Sequence, residues 1–363
     1  MKTISIAGRL VGPGQPCFVI AEAGVNHNGS TKTALALVDA AAAAGADAVK
    51  FQTFKTETLV TRTAPKAEYQ KSSGAAHETQ FDMLKKLELS EKAHRIIAKH
   101  CRKKKILFLS TPFDETCADF LDTLGVPAFK IGSGDLTNLP LLSRVARMKK
   151  PVILSTGMSS WKQVDQAVAL LGRMGLRDLV LLHCVSEYPA DPATVNLKVM
   201  NRLARRYKVP AGFSDHTQGL EAALAAVALG ACVIEKHFTL DCSLPGPDHK
   251  ASMEPDELTA LVRGVRKVEA MLGTARKRLV GHEWEIAAVA RKSLVSTRAL
   301  RKGSVLRAGD IAIRRPGTGL EPSLKDRLIG KRTTRNMAEG ELFTRDILKA
   351  GKDRTAWMKE ADS

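Results

Sequence analysis

One theme recurs eight times between Cys17 and His237: a short aliphatic, β-branched run, a turn, then an Ala/Leu-rich stretch with helical spacing. The runs lie at 18–22, 48–52, 107–111, 129–133, 152–156, 179–184, 211–215 and 232–237. Helical patterns sit between them, at 32–44, 91–104, 115–124, 161–174 and 220–229 among others. Ser90 and Asp114 stand where N-caps belong, and Gly45, Gly125 and Gly230 follow their helices as C′ residues. Eight βα units predict an α/β chain folded as a (β/α)8 TIM barrel. An open doubly wound sheet is the competitor, but its G-x-G-x-x-G turn is missing after the first run.

A last helical pattern at 257–272 ends the barrel domain, expected over 1–272. Residues 273–289 are polar and read as a linker. From 290 to 349 short β-like runs (293–296, 311–313) alternate with turns, as in a small β-rich module, and 350–363 is a polar tail expected to be disordered. The chain has 363 residues, 44% hydrophobic but only 5% aromatic, so its core must be aliphatic.

The formal charge is +18, with +10 of it after residue 273. No aromatic residues interleave with the basic ones as a nucleic-acid stacking platform requires, so a solvated basic surface is expected and no nucleic-acid partner. Six scattered cysteines form neither CxxC pairs nor zinc spacings and read as reduced thiols. The start of the sequence has no basic-then-apolar leader pattern, and no run of 18 apolar residues occurs. A cytoplasmic protein without membrane contact is expected.

Catalytic groups of a barrel sit where its strands end, and the reactive residues of this chain cluster there. Pointing all eight runs one way brings Lys50, Lys130, Ser133, Ser155 and Ser214 into one mouth, an anion site of two ammonium groups, hydroxyls and Gly-flanked backbone. His216 and His237 end neighbouring runs, about 5 Å apart as adjacent strands are. They form either a packed pair or two ligands of a divalent ion, and the second reading is preferred. Asp215 is then a candidate to orient a ligand, and His27, His183 and His249 are competing ligands. Glu22 is the natural general acid or base, unless it is only a salt-bridge partner of Lys50 or Lys236. Asp248, after Leu244-Pro245-Gly246-Pro247, is either a sugar-hydroxyl contact or a turn residue.

At these residues the chain resembles the sialic acid (nonulosonate) synthase family. The matching segments include Glu22-Ala23-Gly24-Val25-Asn26-His27-Asn28-Gly29, Lys50-Phe51-Gln52, Lys130-Ile131-Gly132-Ser133-Gly134, Phe213-Ser214-Asp215-His216 and Glu235-Lys236-His237-Phe238. In the tail, Arg314-Arg315-Pro316-Gly317-Thr318-Gly319 is similar to the family's antifreeze-like SAF domain. The resemblance spans 4–348 and implies condensation of phosphoenolpyruvate (PEP) with N-acetylmannosamine or a related N-acyl amino sugar. Legionaminate, pseudaminate or a spore-polysaccharide sugar acid made from a diacetamido hexose is the alternative. It further implies PEP contacts from Lys50, Thr111, Lys130, Ser133, Ser155, Ser186 and Ser214. Sugar contacts are implied for Gln52, Asp135, Tyr188, Asp248 and Arg315, with Glu22 moving protons. A divalent ion, Mn²⁺ or else Mg²⁺ or Co²⁺, falls on His216 and His237. A domain-swapped homodimer is implied, in which Arg315 serves the partner's site. Two departures stand out: Asp135 where sialic acid synthases usually have Glu, and Ser186 where some relatives have Asn or Thr. A Schiff-base aldolase using Lys50 or Lys130 remains the competing chemistry.

Overall fold

The computed structural model describes residues 2–67, 70 and 78–348; the expected tail at 350–363 lies outside them. It divides into two compact units, up to Gly273 and from Thr274 onward.

The first unit opens with an antiparallel hairpin of β1 (Ile4–Ile6) and β2 (Arg9–Val11). Eight parallel strands follow: β3 (Phe18–Gly24), β4 (Ala48–Thr53), β5 (Leu107–Pro112), β6 (Phe129–Ile131), β7 (Val152–Ser155), β8 (Leu179–His183), β9 (Ala211–Asp215) and β10 (Val233–His237). Their order is β5-β4-β3-β10-β9-β8-β7-β6, and the two ends of this ladder, β5 and β6, lie side by side. The eightfold recurrence thus closes as a TIM-type barrel. Its helices are α1 (Thr31–Ala43), α2 (Thr56–Leu59), α3 (Gln80–Leu87), α4 (Glu91–Lys104), α5 (Glu115–Leu124), α6 (Leu139–Arg147), α7 (Trp161–Arg173), α8 (Lys198–Tyr207), α9 (Glu221–Ala228) and α10 (Pro255–Leu272). Ser90 and Asp114 do cap α4 and α5, their side chains accepting from the N–H of Ala93 and Cys117. Gly125 closes α5 at φ 81°, a left-handed position that a side chain disfavours.

Strand alternation sorts the barrel into two layers. Val19, Val49, Phe51, Phe129, Leu154, Leu181, Phe213 and Ile234 face outward and pack with the helices. Ile20, Ala48, Leu109, Ile153, Val180, Leu182 and Val233 face inward, in one cluster with Ile4, Ile6 and Val11 of the hairpin. The hairpin therefore plugs the barrel's lower end. Asp47 secures it, pairing with Arg9 and Arg266 and accepting from the Val19 N–H. One register step up each strand, the inward positions change from aliphatic to charged.

The second unit contains α11 (Glu283–Ala290), β11 (Ser293–Ser296), β12 (Ile311–Arg314) and α12 (Lys325–Leu328). β11 and β12 pair antiparallel over a core that includes Leu294, Leu306, Ile311, Leu328 and Phe343. The run expected at 311–313 is one residue longer in β12, and part of the expected linker forms α11.

Candidate active site

Glu22, Lys50, Lys130, Ser214, Glu235 and His237 occupy the inward positions nearest the strand ends, on β3, β4, β6, β9 and β10. All but His237 are buried. The Lys50 ammonium lies 2.9 Å from Glu22 and 3.6 Å from Glu235, and donates to Thr111 Oγ1 at 3.2 Å. Lys130 lies 3.2 Å from Glu235, and Ser214 Oγ donates to that same carboxylate at 2.9 Å. Glu235 is thus the hub of the charged cluster. Sequence reasoning noted its segment but gave it no role. Its parity with His237 on one strand, two residues apart, was the available signal.

The two carboxyls differ because their neighbours differ. Burial pushes Glu22 up to about 7; the Lys50 ammonium opposes the rise and the Glu235 charge adds to it. Glu235 is equally buried, but two ammonium groups, Lys130 and Lys50, outweigh that burial and hold it down at about 2. Lys130 is itself lowered by burial, partly offset by Glu235. The Glu22–Lys50 pair anticipated as an alternative to catalysis does form, and it leaves Glu22 protonatable near neutrality.

A second cluster gathers beside β6, β7 and β8. Ser133 Oγ accepts from the Gly157 N–H at 3.0 Å and lies 3.0 Å from Cys184 Sγ. A methyl group on Gly157 would stand 2.4 Å from Ser186 Oγ, 2.7 Å from Cys184 Sγ and 2.8 Å from Ser133 Oγ. Ser155 Oγ is buried with no hydrogen-bond partner. Hydroxyls, a thiol and a backbone N–H therefore converge next to Lys130, an arrangement that suits an anionic group. Cys184 was not foreseen there; as an inward residue just beyond β8 it follows the same alternation.

The imidazoles of His216 and His237 stand 5.6 Å apart, centroid to centroid, with the Tyr188 ring 4.1 Å from His216 and 5.6 Å from His237. His216 Nδ1 donates to the Val185 carbonyl at 2.6 Å, which leaves Nε2 as the lone-pair nitrogen. His237 Nδ1 is buried without a hydrogen bond, 3.8 Å from Asp248 Oδ2. Burial lowers both imidazoles, His237 well below the ordinary histidine value with His216 adding to the effect. Two neutral rings with an orphaned nitrogen fit a divalent ion whose other positions are filled by water or substrate; no group of three or more His, Cys, Asp or Glu placed to hold a metal occurs among the described residues, here or elsewhere. The other expected ligands are engaged elsewhere. His183 contacts the Val195 carbonyl, His27 Nδ1 accepts from the Gly29 N–H, and His249 contacts Thr239. Asp215 faces outward to Lys236 at 2.8 Å, opposite in strand parity to His216, so it does not orient a ring directly.

Around Gly24, at φ 50°, a Cβ would lie 3.3 to 3.6 Å from Glu22, Gln52 and Asp248, which places these three side chains together. Burial lifts the Asp248 carboxyl to about 6 against the opposing Lys50 charge. Asn26 holds the loop that carries it: its amide donates to the Phe238 carbonyl and to Ser252 Oγ, and Ser252 donates to the Asp248 carbonyl at 2.6 Å. Asp135, half-buried in a turn after β6, accepts from Asn138 at 3.0 Å, and burial raises its carboxyl. Arg315 lies in the second unit, exposed, directly after β12.

The chain as a whole is matched in known proteins. The NeuB family model covers residues 37–277, and an SAF domain model covers 291–348. The chain belongs to the NeuB family. It is 48% identical to N,N'-diacetyllegionaminic acid synthase of Legionella pneumophila, over 91% of this chain and 94% of that one. A Campylobacter jejuni protein of the same name is 45% identical, over 90% and 98%. Among solved structures, the Bacillus subtilis spore coat polysaccharide biosynthesis protein SpsE superposes with a TM-score of 0.66 at 37% identity, covering 95% of this chain and 99% of that one. As a NeuB-family chain with a C-terminal SAF domain, the protein is a PEP-condensing nonulosonate synthase. No helix among its described residues is long and apolar enough to cross a membrane.

Proposed function

We propose that this NeuB-family synthase makes a legionaminate-type sugar acid from PEP and a diacetamido hexose, in the cytoplasm and as a homodimer. The observation that supports the chemistry is the meeting, at one barrel mouth, of two buried ammonium groups, a carboxyl poised near 7 and two neutral imidazoles. Acceptor choice is supported by the two relatives named for N,N'-diacetyllegionaminic acid and by Asp135 in place of the Glu usual in sialic acid synthases. This favours the diacetamido hexose over N-acetylmannosamine.

Lys130, Ser133, Ser155, Ser186 and Ser214 hold the phosphate of PEP, and Lys50 with Thr111 holds its carboxylate. Gln52, Asp135, Tyr188 and Asp248 hold the sugar, and Arg315 of the partner subunit reads an acyl group. His216 and His237 would hold a divalent ion, Mn²⁺ in our reading, which would supply Lewis acidity toward the sugar aldehyde. C3 of PEP attacks the aldehyde carbon, and Glu22 in its neutral form gives its proton to the new alkoxide. Water then adds at C2 and returns a proton to the Glu22 carboxylate, and phosphate leaves with rupture of its C–O bond, taking the proton of the C2 hydroxyl as that carbon becomes a ketone. Buried walls around Glu22 and Lys50 limit water at the cationic C2 stage.

Two assays test this reading. Purified protein with Mn²⁺ and PEP is offered 2,4-diacetamido-2,4,6-trideoxymannose or N-acetylmannosamine, with phosphate release and product mass followed together. Turnover at least about tenfold faster with the first sugar is expected; a preference for N-acetylmannosamine overturns the acceptor assignment. Separately, Gly157→Ala drives a methyl into Ser186, Cys184 and Ser133, and an ångström-scale misplacement costs about a hundredfold where geometry is critical. A rise of about ten- to a hundredfold in KM for PEP is expected, with little change for the sugar. An unchanged KM removes the phosphate from this cluster.

A further inference from the structure

Behind the imidazole pair, on the opposite face of β9 and β10, an ion pair is buried in an otherwise apolar layer. Lys236 and Asp215 are register partners across these strands, each 1% exposed, and share strand parity with the outward-facing Phe213 and Ile234. Every polar atom of the pair is used. The Lys236 ammonium donates to Asp215 Oδ2 at 2.8 Å and to the Thr217 carbonyl at 2.5 Å. Asp215 Oδ1 accepts from the Thr217 N–H at 2.9 Å and from its hydroxyl at 2.8 Å.

A buried ion pair is seldom kept for stability, since apolar residues of similar volume often serve as well. Its location offers another reason. One ammonium grips the residues on both sides of His216, while its own residue directly precedes His237. The His216 ring also has the Val185 carbonyl to fix it, but His237 Nδ1 has no hydrogen-bond partner. Its placement depends on the strand that carries it.

We infer that Lys236 and Asp215, with Thr217, are positioning residues that hold the His216 and His237 rings at the spacing a divalent ion needs. The inference rests on the metal reading above. None of the three touches the ion; they act through the backbone of the two ligands, as outer partners of metal sites do, where loss costs ten- to a hundredfold in affinity.

The test uses full-length protein. Mn²⁺ binding is measured by the electron paramagnetic resonance signal of free ion, and PEP binding without metal by calorimetry. The double variant Lys236→Met/Asp215→Asn removes both charges and keeps an acceptor for Thr217. Its Mn²⁺ dissociation constant is expected to rise at least about tenfold, with PEP affinity within about twofold of wild type. Lys236→Arg, which keeps a charged donor, is expected to recover most of the loss. A folded double variant that binds Mn²⁺ like wild type overturns the inference. If the double variant does not fold, Thr217→Val, which deletes only the hydroxyl bond to Asp215, takes its place. It is expected to weaken Mn²⁺ at least about threefold, and an unchanged constant is again decisive against us. His216→Ala separates the two readings: wild type and His216→Ala binding Mn²⁺ equally poorly sinks the metal reading and this inference with it. Normal wild-type binding with an unaffected variant sinks the inference alone.

Discussion

Replacing His237 with alanine is expected to lower turnover about a thousandfold or more while the fold persists. The ring's Nδ1 is buried with no hydrogen bond, so its removal relieves an unsatisfied polar atom and offsets part of the lost packing. What would disappear is one of the two proposed protein ligands of a divalent ion whose Lewis acidity toward the aldehyde would be worth several kcal/mol in the transition state. Circular dichroism melts and steady-state rates at saturating Mn²⁺ provide the comparison. A variant of normal stability and normal rate, or wild type unaffected by exhaustive chelation, removes the metal from the mechanism.

Glu22→Gln carries the second large effect, a fall in kcat of about 10²- to 10⁴-fold, the usual worth of a positioned proton donor. The pH dependence has a definite sign. With its carboxyl raised to about 7 by burial, Glu22 is protonated below neutral pH and loses its proton through neutrality, so kcat/KM of wild type falls as pH rises through about 7. That limb is absent from Glu22→Gln. The same shift enters stability, because the folded value lies above the unfolded value of 4.5. Its contribution is full below 4.5 and is lost as pH rises through about 7. Metal-free wild type therefore loses stability between about pH 4.5 and pH 7 relative to Glu22→Gln. Parallel melting curves for the two proteins across that range contradict the assignment, whatever the kinetics show.

The strand ends were legible in the sequence because a barrel repeats one signal: an apolar run with period-two alternation, ended by a polar or glycine residue. That signal located Lys50, Lys130, Ser214 and His237, and the structure brings the first three to Glu235 and seats His237 beside His216 and Tyr188. The same alternation, applied one residue more strictly, separates Glu235 from Lys236 and turns Asp215 away from the imidazoles. Asp215 is next to His216 in the chain but on the opposite strand face, so it can act on the ring only through the backbone and not by contact. The hairpin of β1 and β2 escaped notice because three-residue strands carry too little pattern. Its role as a plug is visible only once Ile4, Ile6 and Val11 are seen to fill the lower barrel. The histidines show the same limit. His27, His183, His216 and His237 sit at or just past strand ends and His249 in the loop after β10, and only in three dimensions do His216 and His237 come together, 5.6 Å apart.

Two layers of evidence meet in the acceptor. In the proposed site a cluster of charged and hydroxyl groups handles PEP, whereas the sugar would be read by a few contacts such as Asp135, Gln52 and Asp248. Asn138 holds Asp135 at 3.0 Å, so its carboxylate is oriented before substrate arrives.

The central claim is tested most directly by PEP labelled with ¹⁸O in the oxygen that bridges C2 and phosphorus. In a reaction with Mn²⁺ and the diacetamido hexose, all of the label is expected in the released phosphate, because C2 takes its new oxygen from water. Label retained in the sugar acid would mean cleavage at phosphorus and would contradict the mechanism built on Glu22, Lys50 and Lys130.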